Sequence, residues 1–146
     1  DTARSRGLGD VYKRQMTRDV KTLGTESTLR DAEELMREYH VRHIPVISES
    51  GAIKGVLSQK EFLREAFRIT DKFGAHHLQD YLAKTPVLDC LDREVDTLPS
   101  DTPLKTTGER LRAEKEGCLL IADEEGTLRG IVTSQDFVRL ALDLLD

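Results

Sequence analysis

The chain has 146 residues, 38% hydrophobic and 34% charged, with a formal net charge of -5. That length holds one ordinary domain or two small ones sharing a core. No apolar run nears the ~18 residues of a membrane span, and an acidic chain without Trp lacks the basic, aromatic face that nucleic acid wants as main partner.

The charge is uneven. Residues 1–15 carry 4 basic against 2 acidic side chains, residues 16–75 carry 10 against 10, and residues 76–146 carry 8 against 15. An anionic ligand should therefore find its cations in the first half. Cys90 and Cys118 have no neighbouring ligand spacing for zinc, so they read as two thiols of a reducing cytosol, with a single disulfide as the alternative. The expected location is cytoplasmic.

Residues 1–15 (DTARSRGLGDVYKRQ) have no apolar h-region and do not form a signal peptide. GLGDVYKRQ resembles the translated adapter sequence found at the ends of some metagenomic gene predictions. The segment is set aside as a non-native or disordered leader. Met16 then lies inside a motif, so the natural protein is expected to carry other residues before it.

From there the elements come twice. Val20–Leu23 is a short strand candidate, and Thr28–Tyr39 places Ala32, Leu35, Met36 and Tyr39 on one helical stripe. Ile44–Ser48 and Ile53–Ser58 form a hairpin about Glu49-Ser50-Gly51, where Gly supplies a positive φ. A helix follows over Gln59–Phe67. Ala75–Leu82 reads as a short helix ending before Thr85-Pro86, and Asp89–Glu94 as an acidic loop. Thr102 can then cap a helix with Pro103 at its first position. Leu119–Ala122 and Leu128–Thr133 form the second hairpin, and Gln135–Leu145 the last helix.

Sliding the chain by 75 aligns Val20–Phe62 with Val95–Phe137 without a gap, with ten identities that include Thr22/Thr97, Leu29/Leu104, Gly51/Gly126, Gly55/Gly130 and Phe62/Phe137. Two copies of one supersecondary unit explain this. The boundaries follow: leader 1–15, first repeat 16–74, linker with a short helix 75–94, second repeat 95–146. Neither copy has the apolar surface to stand alone, so the two should pack face to face.

The chemistry concentrates at a strand-to-helix corner, Gly55-Val56-Leu57-Ser58-Gln59-Lys60-Glu61 and Gly130-Ile131-Val132-Thr133-Ser134-Gln135-Asp136. As structure, this is a capping box. As a site, it puts a hydroxyl and a carboxylate at a helix N-terminus, suited to ribose hydroxyls beside a phosphate. The two readings are compatible.

Each copy resembles a CBS motif, through the Thr-bearing first strand, the His43-Ile44-Pro45-Val46 strand, the Gly hairpin and the terminal G-h-h-T/S-x-x-D. Met16–Val20 and Asp80–Pro86 resemble the lead-ins of such motifs. The resemblance spans Met16–Leu142 and implies an α/β fold of two βαββα repeats about a pseudo-two-fold axis, a tandem CBS pair or Bateman module. It further implies a regulatory module that binds AMP, ADP, ATP or S-adenosylmethionine in the cleft between repeats, catalyses nothing, requires no cofactor, and forms a homodimer.

The same resemblance assigns Thr133 and Asp136 to the ribose, with Ser58 and Glu61 as an approximate second copy. It places Thr22 and Thr97 near the base, Ile44, Pro45 and Leu119 along the apolar wall, and Arg42 and His43 at the phosphates. Gly117 and Cys118 stand where Arg42 and His43 do, so the expected competent site pairs Asp136 and Thr133 with Arg42 and His43, while the Glu61 site is weak. His40, His76 and His77 read as surface or linker. The alternatives are a ligand-free dimerisation or autoinhibitory scaffold and, less favoured, an enzyme using a Cys118–His43 pair. No nucleophile elbow, P-loop or dinucleotide fingerprint supports the last.

Overall fold

The computed structural model describes residues 20–114 and 117–145. The leader, the Met16–Asp19 part of the first lead-in, Lys115, Glu116 and Asp146 lie outside the described residues. The chain divides into two units, Lys21–Glu94 and the segment from Val95 onward.

The first unit runs β1 (Leu23–Gly24), α1 (Leu29–Tyr39), β2 (His43–Ile47), β3 (Ile53–Ser58) and α2 (Gln59–Phe73), followed by a 3-10 turn at Ala75–His77 and a short helix α3 (Leu78–Leu82). Its sheet has the order β1-β2-β3, with β1 parallel and β3 antiparallel to β2. The second unit repeats this with β4 (Thr97–Leu98), α4 (Leu104–Ala113), β5 (Cys118–Ala122), β6 (Leu128–Thr133) and α5 (Ser134–Leu145), sheet order β4-β5-β6. Both units are thus βαββα, the α/β architecture expected.

The register repeats too. His43 faces Ser58 and Cys118 faces Thr133, and each hairpin shifts register after its fourth paired residue, at Val46/Ile47 and Ile121/Ala122. The turns close identically: Gly51 donates to the Ser48 carbonyl at φ 89, and Gly126 to Asp123 at φ 83. A side chain would be strained at either φ.

The core of the first unit gathers Leu29, Ala32 and Met36 of α1, Ile44, Val46 and Leu57 of the sheet, and Phe62 and Ile69 of α2. Leu82 and Val87, both fully buried, join it from the linker. Burying each of these two contributes about 1.5–3 kcal/mol. Phe73 stacks on Tyr81 with centroids 3.9 Å apart. Backbone bonds from Leu29 to the Thr85 carbonyl and from Val87 to the Ser27 carbonyl stitch the linker to the start of α1. The second unit centres on Leu98, Leu111, Leu119, Ile121 and Val132, with Leu104 and Phe137 packed against them.

Several boundaries depart from the sequence reading. The first strand is Leu23–Gly24, not Val20–Leu23. The helix expected to end at Phe67 continues to Phe73, because Ile69 and Phe73 still face the core. Pro103 is the cap of α4 rather than its first residue. Its ψ is 145° and its carbonyl accepts the Thr107 N–H, while the Thr102 hydroxyl turns back to the Pro99 carbonyl. The expected loop at Asp89–Glu94 begins within a 3-10 turn, Val87–Cys90, and then pairs with β3.

Candidate functional site

Two equivalent corners carry the candidate residues, one in each unit. In the first, the Arg42 carbonyl accepts the Gln59 N–H at 2.8 Å, tying the start of β2 to the start of α2. His43 lies opposite Ser58 across the hairpin. Ser58 is buried and accepts the Glu61 N–H at 3.1 Å, a true N-cap. The half-buried Glu61 does not complete the expected capping box: its carboxylate pairs with Arg64, 3.2 Å away. Ile44 and Pro45 are buried opposite Leu57 and Val56. Thus Arg42, His43, Ser58 and Glu61 share one corner, with Arg42 exposed.

The second corner has the same frame and different chemistry. The Gly117 carbonyl accepts the Ser134 N–H at 3.2 Å. The Asp136 carboxylate reaches back to the Thr133 N–H at 2.8 Å and the Thr133 hydroxyl at 3.4 Å. Its other oxygen accepts from Arg139. Here the cap is the acid rather than the hydroxyl. Asp136 is only 1% exposed, and burial pushes its carboxyl above the ordinary carboxylate range, against the pull of the Thr133 N–H and Arg139. Leu119 is fully buried opposite Val132. Gly117 has φ 68, and a Cβ there would stand 3.4 Å from the Ser134 hydroxyl, so the backbone itself disfavours a cation at this place.

Thr22 and Thr97 are equivalent in sequence but not in structure. Thr97 belongs to β4 and pairs with Leu120, whereas Thr22 precedes β1. Proline explains the difference. Leu120 donates its N–H to the Asp96 carbonyl at 3.0 Å, and Pro45, at the same place in β2, has no N–H to donate.

The sequence reading missed Arg64 and Arg139. Each sits three residues after the candidate acid and pairs with it. They are themselves related by the offset of 75, so carrying the repeat alignment two residues past Phe62 and Phe137 finds them. Neither cysteine forms a disulfide, and Cys118 is fully buried. Among the described residues, no group of three or more His, Cys, Asp or Glu could hold a metal ion, and no helix is long and apolar enough to cross a membrane.

With this geometry in hand, the CBS domain profile matches residues 8–68 and 87–143. The chain belongs to the CBS domain family. A structure of CBSX2, a CBS-pair protein of Arabidopsis thaliana, superposes with a TM-score of 0.75 at 26% identity, covering 94% of each chain. A structure of CBSX2 in complex with AMP gives 0.73 at 25% identity, over 95% of this chain and 98% of that one. Inosine-5'-monophosphate dehydrogenase of Bifidobacterium longum is 26% identical over 133 residues, 89% of this chain but 22% of that protein. The chain therefore spans about a fifth of the length of that dehydrogenase.

Proposed function

We propose that this CBS pair is a regulatory module that binds an adenine nucleotide or related adenosyl ligand and catalyses nothing itself, in the cytoplasm. The observation that carries the reading is the Thr133–Asp136 corner: a buried carboxylate, held by a helix N-terminus, accepts donors in the way a ribose diol requires. The CBSX2 complex with AMP supports the ligand class. Arg42 supplies the cation for phosphate with His43 beside it, and Ile44, Pro45, Leu119, Thr22 and Thr97 are assigned to the base. The Glu61–Ser58 site is the weaker one, because Gly117 and Cys118 bring it no cation.

A charge-assisted phosphate contact contributes about 1.5–3 kcal/mol, so Arg42→Ala should weaken AMP at least about tenfold. Asp136→Ala should do the same, and Glu61→Ala should not. Titration of AMP, ADP, ATP and S-adenosylmethionine tests this, alongside thermal shift. A ligand at 100 times its dissociation constant stabilises the fold by about 2.7 kcal/mol. Silence across that panel would leave the reading without support. Such a ligand shifts the arrangement of the repeats only by its differential affinity for the alternatives.

The second reading is a ligand-free dimerisation or autoinhibitory scaffold. It draws on four exposed apolar residues: Leu63 and Phe67 on α2, and Val138 and Leu142 on α5. Each pair is spaced i, i+4 on one helical face, and the two pairs are related by the repeat offset. Phe67 is 71% exposed and Leu142 59%, an apolar display suited to a second copy of the chain. Light scattering on Phe67→Glu with Leu142→Glu should report a monomer where the unaltered protein is a dimer.

A further inference from the structure

Both candidate acids are already paired with an arginine three residues on. Asp136 spends Oδ2 on the Thr133 N–H and hydroxyl, and Arg139 takes Oδ1. Glu61 is taken by Arg64 at the equivalent position. Asp136 is 1% exposed while the Arg139 side chain is 63% exposed. The arginine therefore lies on the solvent side of the carboxylate. A hydroxyl arriving at Asp136 meets one oxygen committed to the backbone and the other under a guanidinium.

We propose that Arg139 is a latch on Asp136: in the empty module it holds Oδ1, and a ligand diol binds by displacing it into solvent. The inference rests on the nucleotide reading above. Displacement is inexpensive because the guanidinium regains water and the pair is screened at its exposed end. The latch thereby keeps the buried charge satisfied when no ligand is present, and sets the ligand affinity lower than the corner alone would give. Arg64 on Glu61 is the same device in the first repeat.

The probe is adenosine, whose lack of charge removes any direct effect of salt on a phosphate. The buffer is at pH 8, well above the ordinary carboxylate range. Arg139→Ala and the more conservative Arg139→Gln should each bind adenosine about two- to fivefold more tightly than the unaltered chain. Added salt should strengthen adenosine binding to the unaltered chain and leave both variants unchanged. Binding to the variants alone supports the latch as well. If the unaltered chain binds adenosine and the variants bind it equally or more weakly, the latch is overturned while the nucleotide reading stands. If adenosine binds none of the three proteins while AMP binds the unaltered chain, the latch is overturned and the nucleotide reading stands; if AMP fails as well, both fall.

Discussion

Val56 and Asp92 exchange both of their backbone hydrogen bonds, each 2.9 Å long. The linker thus serves as a further piece of strand along β3, and its close approach explains Gly55. A Cβ at that position would stand 2.6 Å from the Asp92 carbonyl oxygen.

Gly55→Ala should accordingly destabilise the first unit by at least ~2 kcal/mol, since the contact is backbone that has nowhere to retreat. Gly51→Ala has open space around its Cβ and only a positive φ to oppose it. It should cost about 1 kcal/mol. Urea unfolding of the two variants side by side checks the order, and a larger loss for Gly51→Ala would contradict the structure.

The two corners should answer differently to loss of their hydroxyls. Ser58→Ala removes the acceptor of the Glu61 N–H and should cost about 1 kcal/mol. Thr133→Ala should cost less, because the cap there is the Asp136 carboxylate on a backbone N–H that the variant retains. Equal losses in denaturant titration would show that the corners cap alike.

Asp136 gives a pH dependence with a definite sign. Burial raises its carboxyl above the unfolded value, so the folded protein holds that proton more tightly than the unfolded chain. Its contribution to stability is fullest below the unfolded value and declines as pH rises through the raised folded value. Asp136→Asn keeps an acceptor for Thr133 and cannot ionise. The Asn variant should therefore gain on the unaltered protein as pH rises from about 3 to 7. Denaturant titrations across that range measure the gap, and a gap that closes instead would reverse the assignment.

The thiols should be slow. Burial, with the carboxylates of Glu65 and Asp89 nearby, pushes Cys90 up to about 11. At pH 8 its thiolate population is about a hundredfold below that of an ordinary thiol. Cys118 is fully buried. Iodoacetamide labelling followed by mass spectrometry should find both sluggish when folded and rapid in denaturant. Fast folded-state labelling of Cys118 would revive the thiol–imidazole reading.

Much of the fold was legible because the same physics was written twice. Gly51 and Gly126 mark turns that need positive φ, and the offset of 75 aligns the strands around them in one register. Helix ends were harder. Asp71 and Lys72 disguised the last turn of α2, whose core face continues through Ile69 and Phe73. The packing of the linker could not be read at all, since Leu82 and Val87 are isolated apolar residues whose burial depends on partners distant in sequence. At the candidate corners, the acids and hydroxyls were visible as residue types. Which of the two caps each helix was not, because Ser58 and Thr133 read alike until the side-chain geometry separates them.

The stitching of the linker onto the first unit also bears on how the chain is made. A ribosome that has released only residues up to 74 has exposed a sheet whose β3 edge lacks Asp92 and a core that lacks Leu82 and Val87. Nascent protein must wait some twenty further residues, roughly one to four seconds at ordinary translation rates, before these contacts of its first unit can form. That interval is when a chaperone has most to hold.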